Sequence, residues 1–169
     1  MALVLSGDTG VSGNSGALVS GTAVSASGTA VDFTGIPSWA KRVTVMFSGV
    51  STNGTSAILV QLGSSGGIEN TGYVSGSFND TGSANLTSTA GLLVNHASVA
   101  ATAYNGQMII SLLGSNSYVE TCYVYRSGTT GSSAGGGTKT TTGTLTQLRI
   151  TTVNGTDTFD AGTINIIYE

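Results

Sequence analysis

Ionisable side chains are scarce in this chain. Its 169 residues include five Lys and Arg, eight Asp and Glu, and a single His. Charged residues make up 8% of the sequence, against about 25% in ordinary globular proteins. Catalysis draws on groups that exchange protons near neutral pH, hold a metal or act as activated nucleophiles. So poor a supply points to a building block or a binding surface. Of the five basic residues only Lys41 and Arg42 are adjacent, too few for a phosphate-neutralising stripe, so nucleic acid is not an expected partner. No run of about 18 apolar residues occurs, so no membrane-spanning helix is expected. Cys122 is the only cysteine, so no disulfide can form within the chain. The opening Met1-Ala-Leu-Val-Leu-Ser-Gly7 lacks the basic start and the apolar length of a secretory signal, and synthesis and retention in a cytoplasm are expected.

What is present is glycine, 26 residues of it, with abundant Ser and Thr and a 39% hydrophobic fraction. The mean hydropathy of +0.24 is the opposite of the disordered signature. The length suits one domain. Residues 1–28 hold one charge, Asp8, and are rich in Gly, Ser, Ala and Val, with a small apolar tip at Leu3, Val4 and Leu5. They read as an extended N-terminal arm, with 29–169 as the folded domain. Alternation marks strands over residues 42–50, 55–62, 73–78, 86–94, 107–113, 118–125, 145–153 and 163–168. Asn53-Gly54 and Asn154-Gly155 are hairpin signals. Residues 55–62 are apolar on nearly both faces, as expected of a strand covered by two layers or by a subunit contact. No segment repeats apolar residues at helical spacing. The expected fold is all-β, an antiparallel β-sandwich or jelly roll.

Candidate chemistry is thin. His96 is the one side chain that titrates near neutrality; its neighbours Asn95 and Ala97 suggest a structural role. Cys122 lies in an alternating strand, with Arg126 as its nearest basic residue, and reads as a half-buried small side chain. Asp157 and Asp160, three apart after a turn, are the one candidate pair for a metal such as Ca²⁺; hydrogen bonding to turn amides is the competing role. Gly63-Ser-Ser-Gly-Gly67 and Gly135-Gly-Gly137 have no lysine and no helix after them, so neither is a phosphate loop. Residues 127–137 read as a Gly/Ser-rich loop, with 138–142 as a candidate short strand after it. Trp39, Tyr73, Tyr104, Tyr118, Tyr123 and Tyr125 are candidates for a sugar-stacking platform, or for core and rim. No cofactor is expected.

Two stretches carry a resemblance. Val31-Asp-Phe-Thr-Gly-Ile-Pro-Ser-Trp-Ala-Lys-Arg-Val-Thr-Val-Met-Phe-Ser-Gly-Val-Ser-Thr-Asn-Gly-Thr-Ser56, followed by Gly66-Gly-Ile-Glu-Asn-Thr-Gly-Tyr73, resembles a module of tailed-bacteriophage tail-fibre and other virion proteins. Leu148-Arg-Ile-Thr-Thr-Val-Asn-Gly-Thr-Asp-Thr-Phe-Asp-Ala-Gly-Thr-Ile-Asn-Ile-Ile-Tyr-Glu169 resembles the closing segment of that module. The resemblance implies a structural part of a phage virion, made in the bacterial cytoplasm and assembled as a homotrimer. It further implies docking to other phage proteins through Leu3, Val4 and Leu5. An outward loop holding Ser127, Thr129, Ser132 and Gly136 would meet host surface glycan. A capsid decoration or head-fibre protein is the alternative reading, and a polysaccharide depolymerase a third. No catalytic residue carries over.

Overall fold

The computed structural model describes residues 5–6, 10–11, 18–80, 85–100, 102–128 and 131–169. Among them there is no helix. The strands are β1 (Leu5–Ser6), β2 (Gly10–Val11), β3 (Val19–Ser20), β4 (Val24–Ser25), β5 (Ala30–Thr34), β6 (Arg42–Thr52), β7 (Ile58–Ser64) and β8 (Gly67–Ile68). They continue with β9 (Tyr73–Asn79), β10 (Asn85–Ser88), β11 (Leu92–Leu93), β12 (Ala103–Gly114), β13 (Ser117–Ser127), β14 (Ser132–Thr140), β15 (Gln147–Thr152) and β16 (Phe159–Tyr168). The large sheet runs β10-β9-β14-β13-β12-β6-β16-β3, with β4 also on β16; the small sheet runs β11-β7-β15-β5, with β8 on β7. All pairings are antiparallel, and the two sheets pack together as a β-sandwich. β1 and β2 form a separate two-stranded pair.

Alternation builds the core. Along β13, Tyr118, Glu120, Cys122 and Val124 are buried while Val119, Thr121, Tyr123 and Tyr125 are exposed, as a period of two requires of a sheet with one covered face. Val45, Phe47, Met108, Ile110, Val60, Leu62, Leu148, Ile150, Ile164 and Ile166 join one cluster between the sheets. β7 is covered on both faces by its own chain. Ile58, Val60 and Leu62 face the main cluster; Ala57 and Leu59 pack with Leu93 and Leu86. Leu59 is 1% exposed. This strand therefore offers no subunit contact, the role its two-sided apolarity left open.

The first 28 residues are not all arm. β3 and β4 pair with the free side of β16, Gly28 bridges Phe159, and Ala26 is in the core. β16 borders β6 on one side only, so its other row of backbone groups needs partners. Small, polar residues suffice for that job because the pairing is made by backbone. Leu3 and Val4 lie outside the described residues, and Leu5 opens β1.

The two Asn-Gly turns are not hairpins. Each joins strands of different sheets, β6 to β7 and β15 to β16. The arches are stitched to each other instead. Asn53 Oδ1 accepts from the Thr158 amide at 2.9 Å, and the Asn154 amide donates to Ser56 Oγ at 3.0 Å. Asp157 Oδ2 accepts from the Ser56 amide at 2.9 Å, and its Oδ1 from Asn154 Nδ2 at 2.7 Å. A Cβ on Gly54 would stand 2.0 Å from Asp157 Oδ2, so this glycine makes room for the neighbouring arch. We expect Gly54→Ala to cost about 1–3 kcal/mol through overpacking, read as a lower midpoint in denaturant unfolding. An unchanged midpoint would show that the arches are not interlocked.

Candidate functional site

The candidate metal pair, Asp157 and Asp160, is engaged with other partners. Asp157 is consumed by the arch contacts; Asn154 first, then the Ser56 amide, hold its carboxyl below the usual range. Asp160 sits on β16 and accepts from Ser51 Oγ. Among the described residues no group of three or more His, Cys, Asp or Glu gathers in metal-binding reach.

The Gly/Ser-rich segment corrects the sequence reading more deeply. Residues 132–137 are not loop: they run on into 138–140 as β14, paired with β13 on one side and β9 on the other. Ser132 is buried, and its amide and Oγ donate to Asp80 Oδ2 at 2.9 and 3.2 Å. Gly136 lies in mid-strand opposite Gly76. Ser127 ends β13 and donates to the Ala103 carbonyl at 3.1 Å. Thr129 lies outside the described residues. Four residues, 128–131, separate the two strands. Abundant glycine hid the strand, since glycine is depleted in strands generally. Here the inward positions demand it: a Cβ on Gly135 or Gly137 would come within 2.8 Å of the Gly76 or Val74 carbonyl.

His96 is buried, with Nδ1 3.0 Å from Ser133 Oγ. Burial, then the Arg126 charge, lower its pKa, and Asp80 acts the other way. Ser133 is fully buried, and the Asp80 carboxylate is turned to Ser132 rather than to the imidazole. The pair ties the segment after β11 to β14. Cys122 is likewise inward, donating to the Val94 carbonyl at 3.5 Å; burial first, then Glu120, raise its pKa.

Lys139 and Glu69 form a second tie. Lys139 Nζ lies 2.7 Å from Glu69 Oε2, donates to the Thr71 carbonyl at 3.0 Å and stands 5.1 Å from the Tyr73 ring centroid. Burial acts to raise the Glu69 pKa, but Lys139 and the Thr142 amide and hydroxyl outweigh it and leave it lowered. The Tyr73 hydroxyl accepts from the Leu62 amide and donates to the Glu69 carbonyl, both at 2.7 Å, spanning from the large sheet to the small one.

The aromatic residues divide cleanly. Tyr73, Tyr104 and Tyr118 are core, and Trp39 packs on Tyr168 with ring centroids 5.7 Å apart. Tyr123 and Tyr125 are on the outer face of the large sheet, 61 and 53% exposed, beside Phe78, Val74 and Val119 at 50, 70 and 39%. Sequence reasoning missed Phe78, although it alternates with Val74 and Gly76 along β9. The register places Phe78, Ala134, Tyr123 and Gln107 in one row, and Gly76, Gly136, Thr121 and Ile109 in the next. Gln107, Ile109, Thr121, Cys122 and Tyr123 line a depression of about 120 Å³. This face is the candidate functional surface. Comparison with family models, with curated proteins and with solved structures finds no match for the chain.

One buried group has no structural explanation in its contacts. Glu120 is 4% exposed, and neither carboxyl oxygen has a hydrogen-bond partner. Its register neighbours are Ile110 and Gly137, which offer none. Burial pushes its pKa up to about 8. The folded state therefore holds a proton that the unfolded chain, with its ordinary value of 4.5, gives up. Stability is full below the lower value and declines as pH rises from there towards 8. By linkage the loss is roughly 3–5 kcal/mol over that window. Glu120→Gln should flatten the fall in unfolding free energy between pH 5 and 8, measured by denaturant titration; equal slopes in both proteins would contradict it.

Proposed function

We propose that the chain is a structural subunit of a bacteriophage particle, a tail-fibre or appendage module that works as a trimer. The observation that carries this reading is where the two resembling stretches lie. Residues 31–56 and 148–169 supply most of β5 and β15, and all of β6 and β16. β5 pairs with β15, and β6 with β16. Stretches more than ninety positions apart thus meet as neighbouring strands in both sheets. A resemblance borne by two sequence fragments becomes a resemblance borne by one contiguous structural unit.

The composition supports the same reading. Among the described residues the interior ties are hydrogen bonds, the Lys139–Glu69 ion pair and apolar packing, and Cys122 is a free, buried thiol. Such a fold suits a part that is assembled once and then endures. Symmetric association would also cover sheet borders such as β5 and β10, which otherwise invite pairing with other chains.

Mass spectrometry of purified particles should find this chain at a copy number that is a multiple of three, and light scattering of the isolated protein should give the mass of three chains. Absence from particles would overturn the particle reading, and a monomer at micromolar concentration would overturn the trimer. Separated heads and tails decide the location: a chain found only on heads is the decoration protein instead.

A further inference from the structure

We propose that the outer face of the large sheet, over β14, is a binding groove for a neutral oligosaccharide. The first observation is a pair of glycines the fold itself does not need. Gly76 and Gly136 face each other in the register, and neither has a left-handed backbone. A Cβ on either would meet its nearest neighbour at 3.7 or 3.5 Å, ordinary contact. Glycine inside a strand costs stability relative to any residue with a side chain. The inward glycines of β14 are demanded by the core; these two are not. Glycine in such a place keeps a floor clear for something that approaches from outside.

The second observation is what stands beside that floor. Phe78 on β9 and Tyr123 on β13 flank Ala134 on β14. Two strand spacings put their backbones about 9–10 Å apart, the width a single sugar ring and its contact distances need. Exposed aromatic rings match the C–H face of a pyranose. Thr121, next to Gly136 in the register, brings a hydroxyl to the edge of the floor, and the depression on the far side of Tyr123 extends the surface to the Gln107 amide; both suit the hydroxyl rim. A second copy packed face to face would instead be met by interdigitating side chains, which a glycine floor does not provide.

The third observation is charge. β9, β10 and β12 contain no charged residue, and the three charged residues of β13 and β14, Glu120, Arg126 and Lys139, alternate onto the inward face. Asp80, just past the end of β9, turns its carboxylate to Ser132, and Arg42 on β6 is paired with Glu169. A surface with no field of its own fits an uncharged ligand and has nothing to offset the desolvation of an anionic one.

The inference deepens the particle reading by naming the surface and the chemistry through which such a subunit would touch a host. It is tested on the isolated chain, whereas the particle reading stands or falls on particle composition, so either can fail alone. The test is a ¹H–¹⁵N NMR titration with neutral hexasaccharides of glucose, mannose, galactose and N-acetylglucosamine, and a heparin hexasaccharide as the charged control. At least one neutral compound should shift the amides of Gly76, Phe78, Tyr123, Ala134 and Gly136, with no such shifts from heparin. Tyr123→Ala and Gly136→Val should each weaken that binding at least tenfold with spectral dispersion retained. If Gly136→Val fails to fold, Phe78→Ala takes its place. No shifts from any neutral compound, or unchanged binding in the variants, would overturn the proposal. So would a drop in oligomer mass on Tyr123→Ala, which would make the face a subunit contact.

Discussion

The fold turns on the pairing of one strand that has three consecutive glycines and no large apolar side chain. β14 lies between β9 and β13, so both rows of its backbone groups are engaged in ladders. Its inward glycines let the neighbouring layer approach: a Cβ on Gly137 would stand 3.0 Å from Leu92 Cδ2, and one on Gly135 would stand 3.4 Å from the Leu93 carbonyl. The same strand delivers Ser133 to His96 and Lys139 to Glu69. Backbone pairing substitutes for side-chain burial here, and the sheet stays continuous across a segment with no large apolar residue.

That strand also separates two surfaces of different character. Inside, large side chains reach over the missing Cβ atoms and close the core. Outside, Gly76 and Gly136 carry no side chain and form the floor of the proposed trough beside Phe78 and Tyr123. One run of small residues therefore serves packing on one face and openness on the other. The exposed apolar residues of β9 and β13 gather along this trough, and the buried tyrosines stay occupied by backbone partners such as the Leu62 amide and the Ala97 carbonyl.

Much of the fold was legible in the sequence, and for a simple reason. Where large apolar residues alternate, as along residues 42–50 and 118–125, burial of one face dictates the strand. Where small residues form a strand, as in β3, β4 and β14, the pairing is made by backbone, which every sequence carries, and no pattern announces it. The Asn-Gly pairs signalled chain reversal correctly but not which sheet receives the returning strand. That depends on Asp157 and Asn53 reaching across from one arch to the other, a contact about a hundred positions apart in sequence. The aromatic surface was half legible. Tyr123 and Tyr125 stood out by residue type, while the division of the six aromatics between core and face follows from register alone. Glu120 gave no sign of being unpartnered, because its neighbours Ile110 and Gly137 come from other strands.

Amide hydrogen exchange across residues 133–139 tests the account most directly. A strand paired on both sides predicts that Gly135, Gly136 and Gly137 exchange as slowly as the amides of β13. Fast exchange of the three glycines would return this segment to a loop, and with it would go both the continuous sheet and the trough above it.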